Sequence, residues 1–224
     1  MGKKGLKNLI VAIDGPAGSG KSTISKLIAE KLGLLYIDTG AMYRALTLKA
    51  MRKSVRLEDE KVLADLARTT KIELEESNGL RVLLDGEDVS IPIRTPEVTA
   101  NVKYIARTPD VRREMVKLQR ALGAKSGGVL EGRDIGTVVF PDADFKFYLD
   151  ASPEVRAKRR YKDMAELGAK QPVEKIKKDI VERDTSDINR PVGALKKASD
   201  AIYIDTTDLS IEEVIGKVES YICR

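Results

Sequence analysis

The sequence predicts an α/β protein, a parallel sheet flanked by helices with a small antiparallel insert. Three observations carry that prediction. The apolar run Leu9–Ile13 ends at Asp14-Gly15 and, after a glycine-rich turn, gives way to Ile24, Leu27, Ile28 and Leu32 at helical spacing. The same strand-then-helix order repeats at once, which is the pattern of a parallel sheet with crossover helices. Farther on, Asn78-Gly79 and Asp85-Gly86 separate short apolar runs, a signature of antiparallel hairpins.

Taken in order, Leu9–Ile13 is a buried strand, and Gly33 suits the C-terminal cap of the helix that follows. Leu34–Ile37 is the second strand, before a helix with Met42, Ala45, Leu46 and Ala50 on one face. Lys71–Glu75, Leu80–Leu84 and Glu87–Ser90 form the antiparallel meander. Thr95-Pro96-Glu97 and Thr108-Pro109-Asp110 each place a capping hydroxyl before a proline and an acid, so each starts a helix. The second of these carries Val111, Met115, Leu118 and Leu122 and is expected to end at Gly123. The sheet resumes at Gly128–Leu130 and Phe145–Leu149. Helices then open at Ser152-Pro153-Glu154 and at Pro172. Ala201–Ile204 is the last strand, and Ser210 with Glu213 is a capping box for a final helix.

At 224 residues, 42% hydrophobic and 33% charged, the chain is of a size and composition for one well-cored domain with an insert. Its net charge of +5 suits an anionic partner, nucleic acid or a small phosphate compound, without choosing between them. The single cysteine, Cys223, allows neither an intramolecular disulfide nor a cysteine-based zinc site, and fits a reducing compartment such as the cytoplasm. No apolar stretch approaches a membrane span, and the N-terminal run is too short for a signal peptide, so no membrane partner is expected. There is no histidine, so any chemistry proceeds without imidazole.

Gly15-Pro16-Ala17-Gly18-Ser19-Gly20-Lys21-Ser22 matches the Walker A pattern, between a strand and a helix as that motif requires, and Thr23 follows. Glycines let backbone N–H groups wrap a phosphate chain, and the helix N-terminus adds a favourable dipole. Lys21 would reach the β- and γ-phosphates of ATP, and Ser22 would ligate Mg²⁺. Phosphoryl transfer needs cations more than a strong base, which directs attention to arginines at strand ends. Arg44 lies one turn into the second helix, and Arg133 follows the third core strand in Glu131-Gly132-Arg133-Asp134. Singly, each reads as an ordinary surface arginine; together they suggest an anion site. Arg183 and Asp187 in ERDTSDINR share a helical face, which suits either a ligand contact or a surface ion pair. Arg156, Arg159 and Arg160 also share a face, either opposite an anion or on a solvated helix balanced by Glu154 and Asp163. Tyr36 and Tyr43 read as packing residues.

GPAGSGKST, YIDTGAMYR, EGRDIGTVVFPDADFKFYLDAS, ERDTSDINR and DTTDLSIEEV resemble, in order and spacing, the bacterial cytidylate kinases. The resemblance runs from about Ile10 to Ile215. Its specific parts are GRDIGTVVFPDA and RDTSDINR, which general nucleoside monophosphate kinases lack. It implies a single P-loop kinase domain over 1–224, with an acceptor-binding insert over 40–113 and a helical lid over 156–190. The implied reaction is transfer of the γ-phosphoryl of ATP, with Mg²⁺, to CMP or dCMP. Carried over, Thr39, Arg44 and Arg133 hold the acceptor phosphate, Arg112 and Asp134 face cytosine, Arg183 and Asp187 take the ribose hydroxyls, and Arg190 lies on the phosphate side. Arg156, Arg159 and Arg160 become lid arginines over ATP; Lys21, Arg133 and Arg159 serve transfer itself; Glu131 holds Mg²⁺ through water. Cytosine offers an amine donor and two acceptors, which an aspartate and an arginine complement. Lys103 departs from the family, standing where relatives carry a serine that helps read the amine, and lysine cannot accept a hydrogen bond. Rival readings are a kinase of UMP, AMP or another small acceptor, a nucleic-acid-dependent P-loop ATPase, and a silent nucleotide binder. Basic residues interleaved with acids speak against the ATPase. A monomer is expected.

Overall fold

In a computed structural model, residues 8–77, 79–166 and 171–223 are described. Strand β1 (Ile10–Asp14) leads through the glycine-rich loop into α1 (Lys21–Leu32), then β2 (Tyr36–Asp38) and α2 (Thr39–Arg52). After α3 (Glu60–Arg68) come β3 (Ile72–Ser77), β4 (Gly79–Leu84) and the short β5 (Glu87–Asp88). A 3₁₀ turn at Pro92–Arg94 precedes α4 (Pro96–Arg107), α5 (Pro109–Ser126) and β6 (Gly128–Gly132). A π-turn at Ile135–Val139 joins β6 to β7 (Phe145–Asp150), followed by α6 (Pro153–Glu166), α7 (Val173–Ile188), β8 (Ile202–Asp205) and α8 (Ile211–Ile222).

Five parallel strands in the order β2-β6-β1-β7-β8 form the main sheet, and β3-β4-β5 a separate antiparallel one. The register aligns Asp14 with Gly132 and Tyr148, and Asp38 with Glu131, so the carboxyl ends share one edge. That edge is where open α/β sheets bind ligands. Each parallel strand brings a carboxylate to it, at Asp14, Asp38, Glu131, Asp150 and Asp205. One core packs Ile24 and Ile28 of α1 and Val214 and Val218 of α8 against Val11, Ile13 and Phe147. Ala12, Ile37 and Leu130 face the other way, toward α2, α3, α4 and α5. Ile72, Leu74, Val82 and Leu84 of the antiparallel sheet belong to this second core too, so the small sheet buries its apolar face on the helices of the larger one. Ala157, Ile176 and Ile180 make a third, small cluster between α6 and α7.

Four local features differ from the expectation. Helix α3 was not anticipated; it buries Leu63, Ala64, Leu66 and Ala67, a stripe only two turns long among charged residues, and Asp59 caps it through Val62 N–H at 3.1 Å. The predicted stop at Gly123 fails because that glycine serves packing: a Cβ there would sit 2.6 Å from Phe140 Cζ. Helix α5 runs on to Ser126 and is capped by Gly127, at φ 71°. Thr108 does not cap α5; its hydroxyl donates to Tyr104 O at 2.9 Å in the preceding helix, whereas Thr95 accepts from Val98 N–H as expected. The π-turn was not foreseen either. In the meander, Asp85 and Gly86 both adopt positive φ, as a tight hairpin turn requires. Asn78, in the other expected turn, lies outside the described residues, as do residues 167–170 within the expected lid.

Candidate active site

The glycine-rich loop takes its shape from close backbone packing. Gly15 has φ +148°, and a Cβ on it would come 1.9 Å from Leu149 O. Gly18, at φ +80°, packs against Arg156. Gly20 precedes α1 in the left-handed region with no side chain capping the helix, so the first N–H groups of α1 face the loop. Lys21 is buried and folds back into the loop, its Nζ donating to Pro16 O at 2.7 Å and lying 3.5 Å from Ser19 Oγ. Burial, reinforced by the Arg133 charge, pushes its ammonium down to about 7.

Beside the loop, Ser22 Oγ donates to Glu131 Oε2 at 2.9 Å, and the Tyr36 hydroxyl donates to Glu131 Oε1. Thr39 Oγ1 donates to the Glu131 carbonyl at 2.6 Å. Burial and the Asp38 charge raise the Glu131 carboxyl above its usual range. A hydroxyl and a carboxylate, hard oxygen donors on adjoining segments, fit an Mg²⁺ that keeps most of its water and is carried by phosphates.

The residues expected on the acceptor side come from distant pieces of chain. Arg44 pairs with Asp38 at 3.0 Å, one turn along α2. Asp187, buried near the end of α7, accepts from Arg133 Nε at 2.9 Å and from Arg190. Burial alone would raise Asp187, but Arg133, Arg190 and Arg183 outweigh it and hold its carboxyl below the usual range. Arg112, 2% exposed, pairs with Asp134 and lies over the Tyr43 ring at 5.5 Å. Burial keeps Asp134 above the usual carboxylate range in spite of Arg112. Gly193, at φ +64°, covers Arg112 so closely that a Cβ would meet its guanidinium at 1.9 Å.

Arg183 answers the question its sequence raised. It makes no ion pair with Asp187, and it has no hydrogen-bond partner among the described residues. Burial and then Arg133 push it down to about 10, with Arg44 and Arg160 adding to the repulsion. Lys21 feels the charges of both Arg133 and Arg183. Lys21, Arg44, Arg133, Arg160 and Arg183 are therefore gathered at the carboxyl edge of the sheet, and Arg160 and Arg183, without hydrogen-bond partners among the described residues, are the cations left for an anion.

Without ligand, the three arginines of α6 turn to different partners. Arg156 is buried and spans Ala151 O at 2.9 Å, Ala17 O at 3.1 Å and Asp184 at 2.5 Å, tying the phosphate loop to α7. Arg159 holds Thr206 through Oγ1 at 3.0 Å and O at 2.6 Å, and Thr206 Oγ1 in turn reaches Ser19 O. Only Arg160 is exposed and without a partner among the described residues. Lys103 is exposed, with its ammonium 5.3 Å from the Tyr104 ring. Tyr36 and Tyr43 pack in the two main cores, as expected.

Sequence reasoning missed the polar end of Tyr36, the tie at Thr206 and the part played by Asp14. Both oxygens of Asp14 accept, from Ile135 N–H and Gly136 N–H at 2.8 Å each, fixing the turn that presents Asp134. Burial pushes that carboxyl up to about 6. The only sequence signal for Asp14 was its place at a strand end.

A family model described as cytidylate kinase matches residues 11–224. Cytidylate kinase from Geobacillus sp. (strain WCH70) is 52% identical over 212 residues, covering 94% of this chain and 95% of that protein. Cytidylate kinase from Lactobacillus gasseri is 50% identical over 224 residues, covering 99% and 97%. Among solved structures, an uncharacterized protein from Eubacterium ventriosum ATCC 27560 superposes with a TM-score of 0.51 at 14% identity, covering 96% of this chain and 98% of that one, a likeness of fold alone.

Proposed function

The chain belongs to the cytidylate kinase family, and from that premise we propose that it transfers the γ-phosphoryl of ATP to CMP or dCMP, using Mg²⁺, as a cytoplasmic monomer without nucleic-acid partners. The observation that carries this reading is the buried Arg112–Asp134 pair beside the arginine cluster. Asp134 accepts from the exocyclic amine of cytosine, and Arg112 donates to its ring acceptors. Uracil would set its O4 against the carboxylate. Among the described residues no helix is long and apolar enough to cross a membrane.

Donor phosphates lie along the Gly15–Thr23 loop, with Lys21 exchanging Pro16 O for phosphate oxygens. Ser22 and Glu131 would hold Mg²⁺, the carboxylate through water, and the ion would supply neutralisation of the donor's phosphate charge. Arg44 and Arg133 exchange their aspartate partners for the acceptor phosphate. Arg183, the unpaired cation, and Asp187 take the ribose, with Arg190 on the phosphate side. Thr39 orients the strand end through Glu131 O and borders the acceptor phosphate. Arg160 closes over ATP with the lid, while Arg156 and Arg159 brace the loop against α6.

The test is kcat/KM with CMP, UMP and AMP, and ATP hydrolysis with and without single-stranded DNA, in wild type and Asp134→Ala. CMP is expected to exceed UMP by up to about 10⁴-fold, since a misplaced buried acceptor rejects strongly. Asp134→Ala should cut CMP turnover and narrow that ratio. An unchanged CMP:UMP ratio removes Asp134 as the base reader, and turnover that depends on DNA removes the kinase reading.

A further inference from the structure

Tyr36 is an apolar residue by position and a polar one by contact. It lies on β2 opposite Val129 and is buried among Ile24, Ile28 and Leu34. A phenylalanine would satisfy that packing equally well. Yet its hydroxyl reaches past the apolar layer to Glu131 Oε1, while Oε2 accepts from Ser22 at 2.9 Å and the backbone carbonyl accepts from Thr39 at 2.6 Å. Glu131 is thus held at three points, one of which is the hydroxyl of the phosphate-loop serine. A glutamate has one more rotatable bond than an aspartate, so its carboxylate needs such a partner to keep one orientation.

The way the two oxygens are divided matters for a metal. A carboxylate with both oxygens free can chelate, as suits Ca²⁺, whereas Mg²⁺ demands near-octahedral geometry and keeps several waters. With Tyr36 holding Oε1 on the core side, Oε2 is the oxygen turned to Ser22 and toward the water shell of an incoming cation. We propose that Tyr36 is a positioning residue for the metal site, reserving one oxygen of Glu131 so that the site favours Mg²⁺ over Ca²⁺. The inference rests on the proposed nucleotide site.

The experiment is calorimetric binding of ATP to the full chain, without metal, with saturating Mg²⁺ and with saturating Ca²⁺. It compares wild type, Tyr36→Phe, Glu131→Gln and the double variant. In wild type, Mg²⁺ should strengthen ATP binding more than Ca²⁺ does. Tyr36→Phe should lower the Mg²⁺ enhancement about tenfold, at the modest end of losses from outer partners of a metal site. Metal-free ATP affinity should stay within about twofold, and the Ca²⁺ enhancement should not fall in parallel. In the Glu131→Gln background the same substitution should do nothing more. Equal losses with Mg²⁺, Ca²⁺ and no metal would make Tyr36 a packing residue and overturn the inference, as would an undiminished effect in the glutamine background. If wild type binds ATP with no help from Mg²⁺, the proposed metal site falls and this inference with it. Should Tyr36→Phe fold poorly, Glu131→Asp, which withdraws the carboxylate from the phenol, should show the same drop in Mg²⁺-over-Ca²⁺ preference; a wild-type preference there also overturns the inference.

Discussion

Nine consecutive residues, Gly15–Thr23, make the proposed donor side of the cleft, whereas the proposed acceptor side draws Arg44, Arg112, Arg133, Asp134, Asp187 and Arg190 from four separate stretches of chain. The donor side is shaped by backbone: glycines at positive φ, a bare helix N-terminus and one lysine turned inward. The acceptor side is held by ion pairs across 22 residues for Arg112–Asp134 and 54 for Arg133–Asp187. Without ligand, Arg44, Arg112, Arg133 and Arg190 are thus partnered by aspartates of the same site, and the proposed binding is an exchange of partners at Arg44 and Arg133. Among the described residues, the hydrogen bonds of Lys21 go to a carbonyl and a hydroxyl. Damage to the first side should be local and severe, and damage to the second distributed and graded.

The largest expected effect is at Lys21. Replacing it with alanine should lower kcat by about 10³-fold, in the range for losing one preorganised donor to a transferring group. Its fold should survive. A lysine whose folded pKa is lowered to about 7 makes the folded state bind fewer protons than the unfolded one between there and 10.5, so stability rises with pH across that window. Lys21→Ala should therefore melt no lower than wild type below pH 7, with its advantage shrinking toward pH 10.5. Wild-type turnover in the folded variant would sink the phosphate-loop assignment; a large drop in melting temperature at pH 6 would sink the electrostatic argument.

A graded effect is expected at Asp187. Asp187→Asn removes the charged acceptor proposed for the ribose hydroxyls, so the KM for CMP should rise about 10- to 100-fold, consistent with losing charge-assisted hydrogen bonds worth about 1.5–3 kcal/mol. The KM for ATP should move by less than about twofold, because sites without shared partners respond independently. Equal rises in both would show that the two sides are one electrostatic unit.

The same contrast explains what the sequence revealed. Parallel strands, crossover helices and the phosphate loop were legible because each is specified by adjacent residues with a periodic or spaced pattern. On the acceptor side, Arg44 and Arg133 could be suspected from strand ends, but the pairing of Asp187 with Arg133 rather than Arg183 depends on how α7 lies against β6. Arg112 and Asp134 were placed by family resemblance alone. Tyr36 misled in a different way: its core position was readable, but the reach of its hydroxyl to Glu131 is set by the register of β2 against β6. Gly123 looked like a helix stop because its real constraint, Phe140, arrives from farther along the chain. The ties of Arg156 to Ala17 O and Asp184 were not readable, because a helical face says nothing about what packs on it.

The smallest expected effect separates the two sides by protons. Lys21 without ligand titrates at about 7, lowered by burial and by Arg133. Phosphate oxygens beside it favour its charged form, so ATP binding must raise that value. At pH 8 the free lysine is only about one-tenth charged, so binding should take up close to one proton. At pH 5.5 the lysine is already charged and has nothing left to take up. CMP approaches arginines that stay charged throughout, so its binding should show no such uptake at pH 8. Calorimetry in two buffers of different ionisation enthalpy gives the proton count directly. Uptake near one for ATP and near zero for CMP at pH 8 would place the titrating cation on the donor side alone. Equal counts for the two ligands would mean that the lysine senses both sides of the cleft, and that the division between them ends at its ammonium.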